Sequence, residues 1–167
     1  MKSSMLKDAG HKKLLIGIGN ISRGDDGLGW LFADAVRNSE LFDGEICYRY
    51  QLQIEDADLL KSFDEVIFVD ATYERLKDGF ALCDSEADTH FTFSTHAIQP
   101  GSILALAEEL YPDQVPKARI MMICGEVWDL DEPVSEHGAD NLEKALSHFF
   151  DKYIEVVKQK SVAEAVI

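Results

Sequence analysis

Three short apolar runs dominate the chain: LLIGI at 14–18, VIFV at 66–69 and IMMIC at 120–124. Each stops abruptly at a glycine or an aspartate: Gly19, Asp70 and Gly125. Runs this short are below helix length and show no alternation with polar residues, so they read as strands covered on both faces. The segments between them carry helical spacing. Leu28, Leu31, Phe32, Ala35 and Val36 form one apolar stripe from Asp26 onward, and EDADLLKSF gives a shorter one. PGSILALAEEL places a proline in the first turn of a helix, where the missing N–H costs nothing. A closing helix is predicted from about Ser135–His137, with Leu142, Ala145, Leu146, Phe149, Phe150, Tyr153, Ile154 and Val157 on its apolar face. EICYRYQL reads as a further strand, strand three is expected to end at Asp70, and GFALCD and HFTFST are shorter strand-like pieces. Strands alternating with helices predict a three-layer α/β fold, a largely parallel twisted sheet with helices on both faces. One domain is expected over 1–167, with flexible ends at 1–12 and 158–167.

Charge narrows the partners. A net charge of −15 over 167 residues repels nucleic acid and anionic membranes, and favours a basic protein segment or a cation. No apolar run approaches the roughly 20 residues needed to cross a bilayer. The polar start MKSSMLKDAGHKK lacks the apolar core of a secretory signal, so a cytoplasmic location is expected. Cys47, Cys83 and Cys124 form no CxxC pair, and their apolar surroundings predict buried, inert thiols.

The stretch GIGNISRGDDGLGW, Gly17–Trp30, raises the question of what its glycines serve. A dinucleotide fingerprint would put glycine where Ser22 stands, and two carboxylates at a helix start would repel a phosphate. One aspartate there is accounted for by helix capping, but a second is not, and Gly27 and Gly29 suggest close approach of another backbone. In an open parallel sheet, ligands bind beyond the carboxyl ends of the strands. Asp25 and Asp26 follow strand one, Asp70 ends strand three, and His96 closes HFTFSTH. Two carboxylates and an imidazole on one rim suit a divalent transition metal such as Ni²⁺, Mn²⁺ or open-site Zn²⁺. Asp25 or Asp26 is also a candidate general base. Other candidates are weaker. Ser94 has no nucleophile elbow, His90 and His137 suit surface or capping roles, His11 and His148 look solvent-facing, and nothing beside Asp25 and Asp70 suggests a sugar groove.

GIGNISRGDDGLG, DEVIFVDA, FSTHAIQPGSILALA and the MMICGE strand before a closing helix occur in an order that resembles the hydrogenase maturation proteases. The likeness runs from Leu14 to about Tyr153. It implies an endopeptidase that removes the C-terminal extension of a nickel–iron hydrogenase large-subunit precursor once nickel is inserted. It also implies that Asp26, Asp70 and His96 are the catalytic and nickel-recognising positions, the Ni²⁺ being carried by the precursor. Many relatives have Glu where this chain has Asp26. The loop GEVWDLDEPVSEHG is less typical, and its Trp128 is expected on the site rim. Two readings compete: a non-catalytic, nickel-dependent checkpoint on the same precursor, and a peptidase of the same fold acting on another protein.

Overall fold

A computed structural model describes residues 10–88 and 98–164, with the side chains of the last helix described to Tyr153. The strand-like HFTFST lies outside these residues. Among the described residues five strands form one sheet: β1 (Lys13–Ile18), β2 (Glu45–Arg49), β3 (Glu65–Thr72), β4 (Phe80–Asp84) and β5 (Lys117–Cys124). Their order is β2-β1-β3-β5-β4, parallel except for β4, which runs antiparallel to β5 at the edge. Four helices accompany them: α1 (Leu28–Ser39), α2 (Asp56–Leu60), α3 (Pro100–Leu110) and α4 (Glu136–Glu164).

The apolar runs supply two cores because side chains alternate across a strand. Leu14, Ile16 and Ile18 of β1 join Val66 and Phe68 of β3 against Leu60, Ile103, Leu104 and Ala107 of α2 and α3. Leu15, Ile67, Val69, Met121 and Ile123 point the other way, onto Phe32, Ala33 and Val36 of α1 and onto Ala145 and Phe149 of α4. This is the expected three-layer α/β fold. Among the described residues no helix is long and apolar enough to cross a membrane.

Several local expectations are corrected. β3 does not end at Asp70 but continues to Thr72, because β5 pairs with it as far as Thr72↔Cys124. α1 begins at Leu28; the two aspartates lie in a preceding 3₁₀ turn, Gly24–Gly27. The closing helix, expected from about Ser135–His137, begins at Glu136 and runs to Glu164. Cys83 is exposed on the edge strand, whereas Cys124 is buried and Cys47 half-buried. Burial raises the Cys47 thiol, as expected of an inert cysteine. His148 is half-buried against the Phe80 ring instead of facing solvent.

Topology fixes where a site can form. The chain leaves β1 for β2 on one side and returns to β3 on the other, so the strand order reverses at the β1/β3 boundary. Open α/β sheets bind their ligands in the crevice above such a reversal. β1 and β3 last pair at Gly17↔Val69, while β3 and β5 stay paired for three further residues. The notch above the end of β1 is occupied by the turn Gly19–Gly27.

Candidate active site

The glycines of that turn let it lie flat on the sheet. A Cβ at Gly29 would run into the backbone oxygens of Ile18 and Val69, the ends of β1 and β3, so α1 can start directly on the strand ends only with glycine there. Gly19 has φ +134 and sits against the backbone oxygen of Asp26, which closes the turn by accepting from the Asn20 N–H at 3.1 Å. Gly27 packs on the Ile21 backbone, as its position in the sequence suggested. The result is a tight loop that presents two consecutive carboxylates in opposite directions.

Asp25 points inward and is fully buried. Its Oδ2 accepts from the backbone N–H of Glu126 at 2.7 Å, that of Val127 at 3.1 Å and the Ser135 hydroxyl at 2.7 Å. Its Oδ1 accepts from the Ser135 N–H at 2.8 Å. The Ser135 hydroxyl in turn accepts from the Gly138 N–H at 2.9 Å and so caps α4. Burial alone would raise this carboxyl, but the bonds from Glu126, Ser135 and Val127 hold it below the ordinary aspartate range. Gly125 and Gly138 press on it so closely that a Cβ at either would overlap its side chain. Asp25 is therefore the clasp between the first turn, the β5–α4 loop and α4. With its oxygens occupied by four donors, it is not available as a general base, contrary to the reading that left Asp25 and Asp26 equivalent.

Asp26 faces the rim. Burial pushes its carboxyl up, against the pull of the Asn20 N–H and the Arg23 guanidinium. Asp70 shares a cleft of about 150 Å³ with it, lined also by Ile18, Gly19, Leu52 and Pro100. Asp70 lies one residue beyond the last β1–β3 pair and accepts from the Ala71 N–H at 2.8 Å. Burial raises its carboxyl to about 7, the Ala71 N–H opposing and the Asp26 charge adding. Two carboxylates that repel each other in a partly dry cleft are a ready receptor for a cation or a proton.

His96 lies outside the described residues, as do Ser94 and His90. Ile98 and Gln99, two and three residues further along the chain, line the Asp26–Asp70 cleft, and Ile98 bridges to Leu52. Among the described residues no group of three or more His, Cys, Asp or Glu side chains is placed to hold a metal. His137 is exposed on the first turn of α4, in keeping with a surface role.

A second cleft, of about 240 Å³, also takes in Asp26. Tyr50 and Gln51 border both clefts; Asn20, Arg23, Tyr73 and Trp128 complete the second. Trp128 thus lies on the rim where the sequence put it. The roles of Tyr50 and Tyr73 were missed, although each directly follows the carboxyl end of a parallel strand, which was the available signal.

The five-stranded α/β sheet with helices on both faces is the fold found in hydrogenase maturation proteases of known structure. A [NiFe] hydrogenase maturation protease HycI from Thermococcus kodakarensis KOD1 superposes with a TM-score of 0.64 at 23% identity, over 86% of this chain and 92% of that one. The hydrogenase maturating endopeptidase HybD from E. coli gives a TM-score of 0.67 at 17% identity, over 87% and 93%. A hydrogenase 2 maturation peptidase from a Thaumarchaeota archaeon gives 0.60 at 17% identity, over 84% and 97%. No protein-family model and no curated protein matches the sequence.

Proposed function

We propose that this protein is an endopeptidase of hydrogenase maturation, which removes the C-terminal extension of a nickel–iron hydrogenase large-subunit precursor in the cytoplasm. The observation that carries the reading is the meeting of Asp26 and Asp70 in one cleft at the strand reversal, in a fold shared with such proteases over most of both chains. Asp26, Asp70 and His96 engage the Ni²⁺ already seated in the precursor, which is part of the substrate. Oxygen and imidazole donors without thiolate suit a borderline divalent ion. Such a weak, thiolate-free set reads a metal held mainly by another protein without extracting it.

Peptide hydrolysis then needs a water activated beside the scissile carbonyl. Asp26, through the carboxylate oxygen not engaged on the nickel, is the better base, since it faces the open rim while its neighbour Asp25 is saturated with donors. Water adds to the carbonyl carbon as its proton passes to the carboxylate, and that proton leaves on the departing amine. Asp70, with a carboxyl pushed up to about 7, sits where it holds a proton or a cation according to conditions. The test is processing of nickel-loaded precursor by Asp26→Asn, Asp70→Asn and His96→Gln. Each is expected to lose activity by 100-fold or more, on the order of a lost acid–base group. Normal processing by all three would overturn the site. A parent chain that binds nickel-loaded precursor without cleaving it, with that binding lost in each variant, would favour the checkpoint reading.

A further inference from the structure

Eight large apolar side chains stand exposed among the described residues, and five of them sit on the carboxyl rim of the sheet. Ile21 follows β1, Tyr50 and Ile54 follow β2, Tyr73 follows β3 and Leu130 follows β5. Scattered surface apolar residues need no explanation, but two exposed tyrosines, Tyr50 and Tyr73, that line one cleft with Trp128 do. Two walls of that cleft are aromatic and each is propped from behind. Tyr73, 75% exposed, stacks on Trp128 with ring centroids 3.9 Å apart. Tyr50, 65% exposed, leans on Trp30 at 4.9 Å, and the Trp30 indole N–H donates to the Arg49 carbonyl at 2.9 Å. Propped rings lose little freedom on contact, which is what makes aromatic residues efficient binding anchors. Between the walls, Asn20 and Gln51 offer amides, the groups that pair with peptide N–H and C=O. The loops around them carry Glu74, Asp129, Asp131 and Glu132, more acid than the Arg23 and Arg75 cations beside them, on a chain of net charge −15.

We propose that the Tyr50–Tyr73–Trp128 cleft is the docking groove for the substrate polypeptide, seating an extended segment beside the scissile bond. Apolar or aromatic side chains of that segment pack between the two walls. Lysine or arginine residues flanking it face the acidic loops, the charge complementarity expected of a partner to so acidic a surface. The groove shares Asp26 with the hydrolytic cleft, so a chain lying in it passes directly over the carboxylate. This assignment rests on the endopeptidase reading and gives it a substrate-binding side.

The experiment measures processing kinetics and precursor binding for the full chain and for Tyr50→Ala, Tyr73→Ala and, as a control, Leu110→Ala, an exposed residue at the far end of α3. Both tyrosine variants are expected to raise KM and the dissociation constant for the precursor about tenfold, a typical anchor loss. Tyr73→Ala, at a residue that lines the groove but not the Asp26–Asp70 cleft, is expected to keep kcat within about twofold of the parent. Added salt is expected to raise KM for parent and variants alike. Leu110→Ala is expected to match the parent. If the parent cleaves and the tyrosine variants keep its KM, the groove assignment is overturned and the protease reading stands. If the parent neither cleaves nor binds precursor, both fall together. Self-association of the parent that Tyr73→Ala abolishes, with KM unchanged, would give the patch to a second copy of this chain and overturn the assignment.

Discussion

Adjacent aspartates in GDDG face opposite environments, and substitutions should separate them. Asp25→Ala strips the partner from the N–H groups of Glu126, Val127 and Ser135 and from the Ser135 hydroxyl. Leaving buried donors unpaired costs about 1–3 kcal/mol each, so a lowered melting temperature is expected, read by thermal unfolding. Asp26→Asn is expected to melt near the parent and yet fail to process precursor. Asp70 gives a pH signature of the opposite sense to Asp25. Its folded carboxyl is raised from 3.8 to about 7, so the folded protein binds the extra proton between those values. Wild-type stability therefore falls as pH rises from about 4 to 7 on this group's account, and levels off above. Asp70→Asn should unfold at the same temperature as the parent near pH 3.5 and be more stable by about 1–3 kcal/mol at pH 8, measured by calorimetry at both pH values. The sequence showed that carboxylates crowd this turn. It did not show which one is structural, because the donors that saturate Asp25 come from residues about a hundred positions away.

At the level of elements, strands and helices were legible where apolar pattern and length agreed, as in β1, β3, β5 and α3. Boundaries were not, since pairing with a neighbour decides them: β5 carries β3 past Asp70, and the 3₁₀ turn delays α1. The loop after β2 was invisible as a site wall because its conformation depends on an ion pair between buried Asp56 and half-buried Arg49. Asp56 accepts from the Arg49 guanidinium at 2.9 Å and from the Gln53 N–H at 2.8 Å, pinning both ends of the segment that holds Tyr50 and Gln51. Asp56→Ala removes that pin and leaves Arg49 half-buried without its carboxylate. A loss of about 2–3 kcal/mol is expected, together with faster hydrogen exchange in 50–54 than elsewhere on the rim. Unchanged exchange there would mean that the loop is held by Leu52 and its bridge to Ile98 instead.

For the whole molecule, the strand reversal at β1/β3 gathers groups distant in sequence onto one rim, and this was foreseeable from the order of strands and helices. The charge of −15 acts at the same scale. Association with a precursor bearing a basic docking segment should slow as salt rises from 50 to 500 mM, while kcat stays constant, as steering by a long-range field requires. Salt-independent association would make the acidity a matter of solubility alone. The proposed activity is that of a protease that senses the metal in its substrate. The most direct test mixes the purified chain with a C-terminally extended hydrogenase large subunit, nickel-loaded or nickel-free, and reads the products by intact mass. Loss of the extension from the loaded precursor alone is the predicted result. Equal cleavage of both forms, or of neither under conditions where both bind, would contradict it.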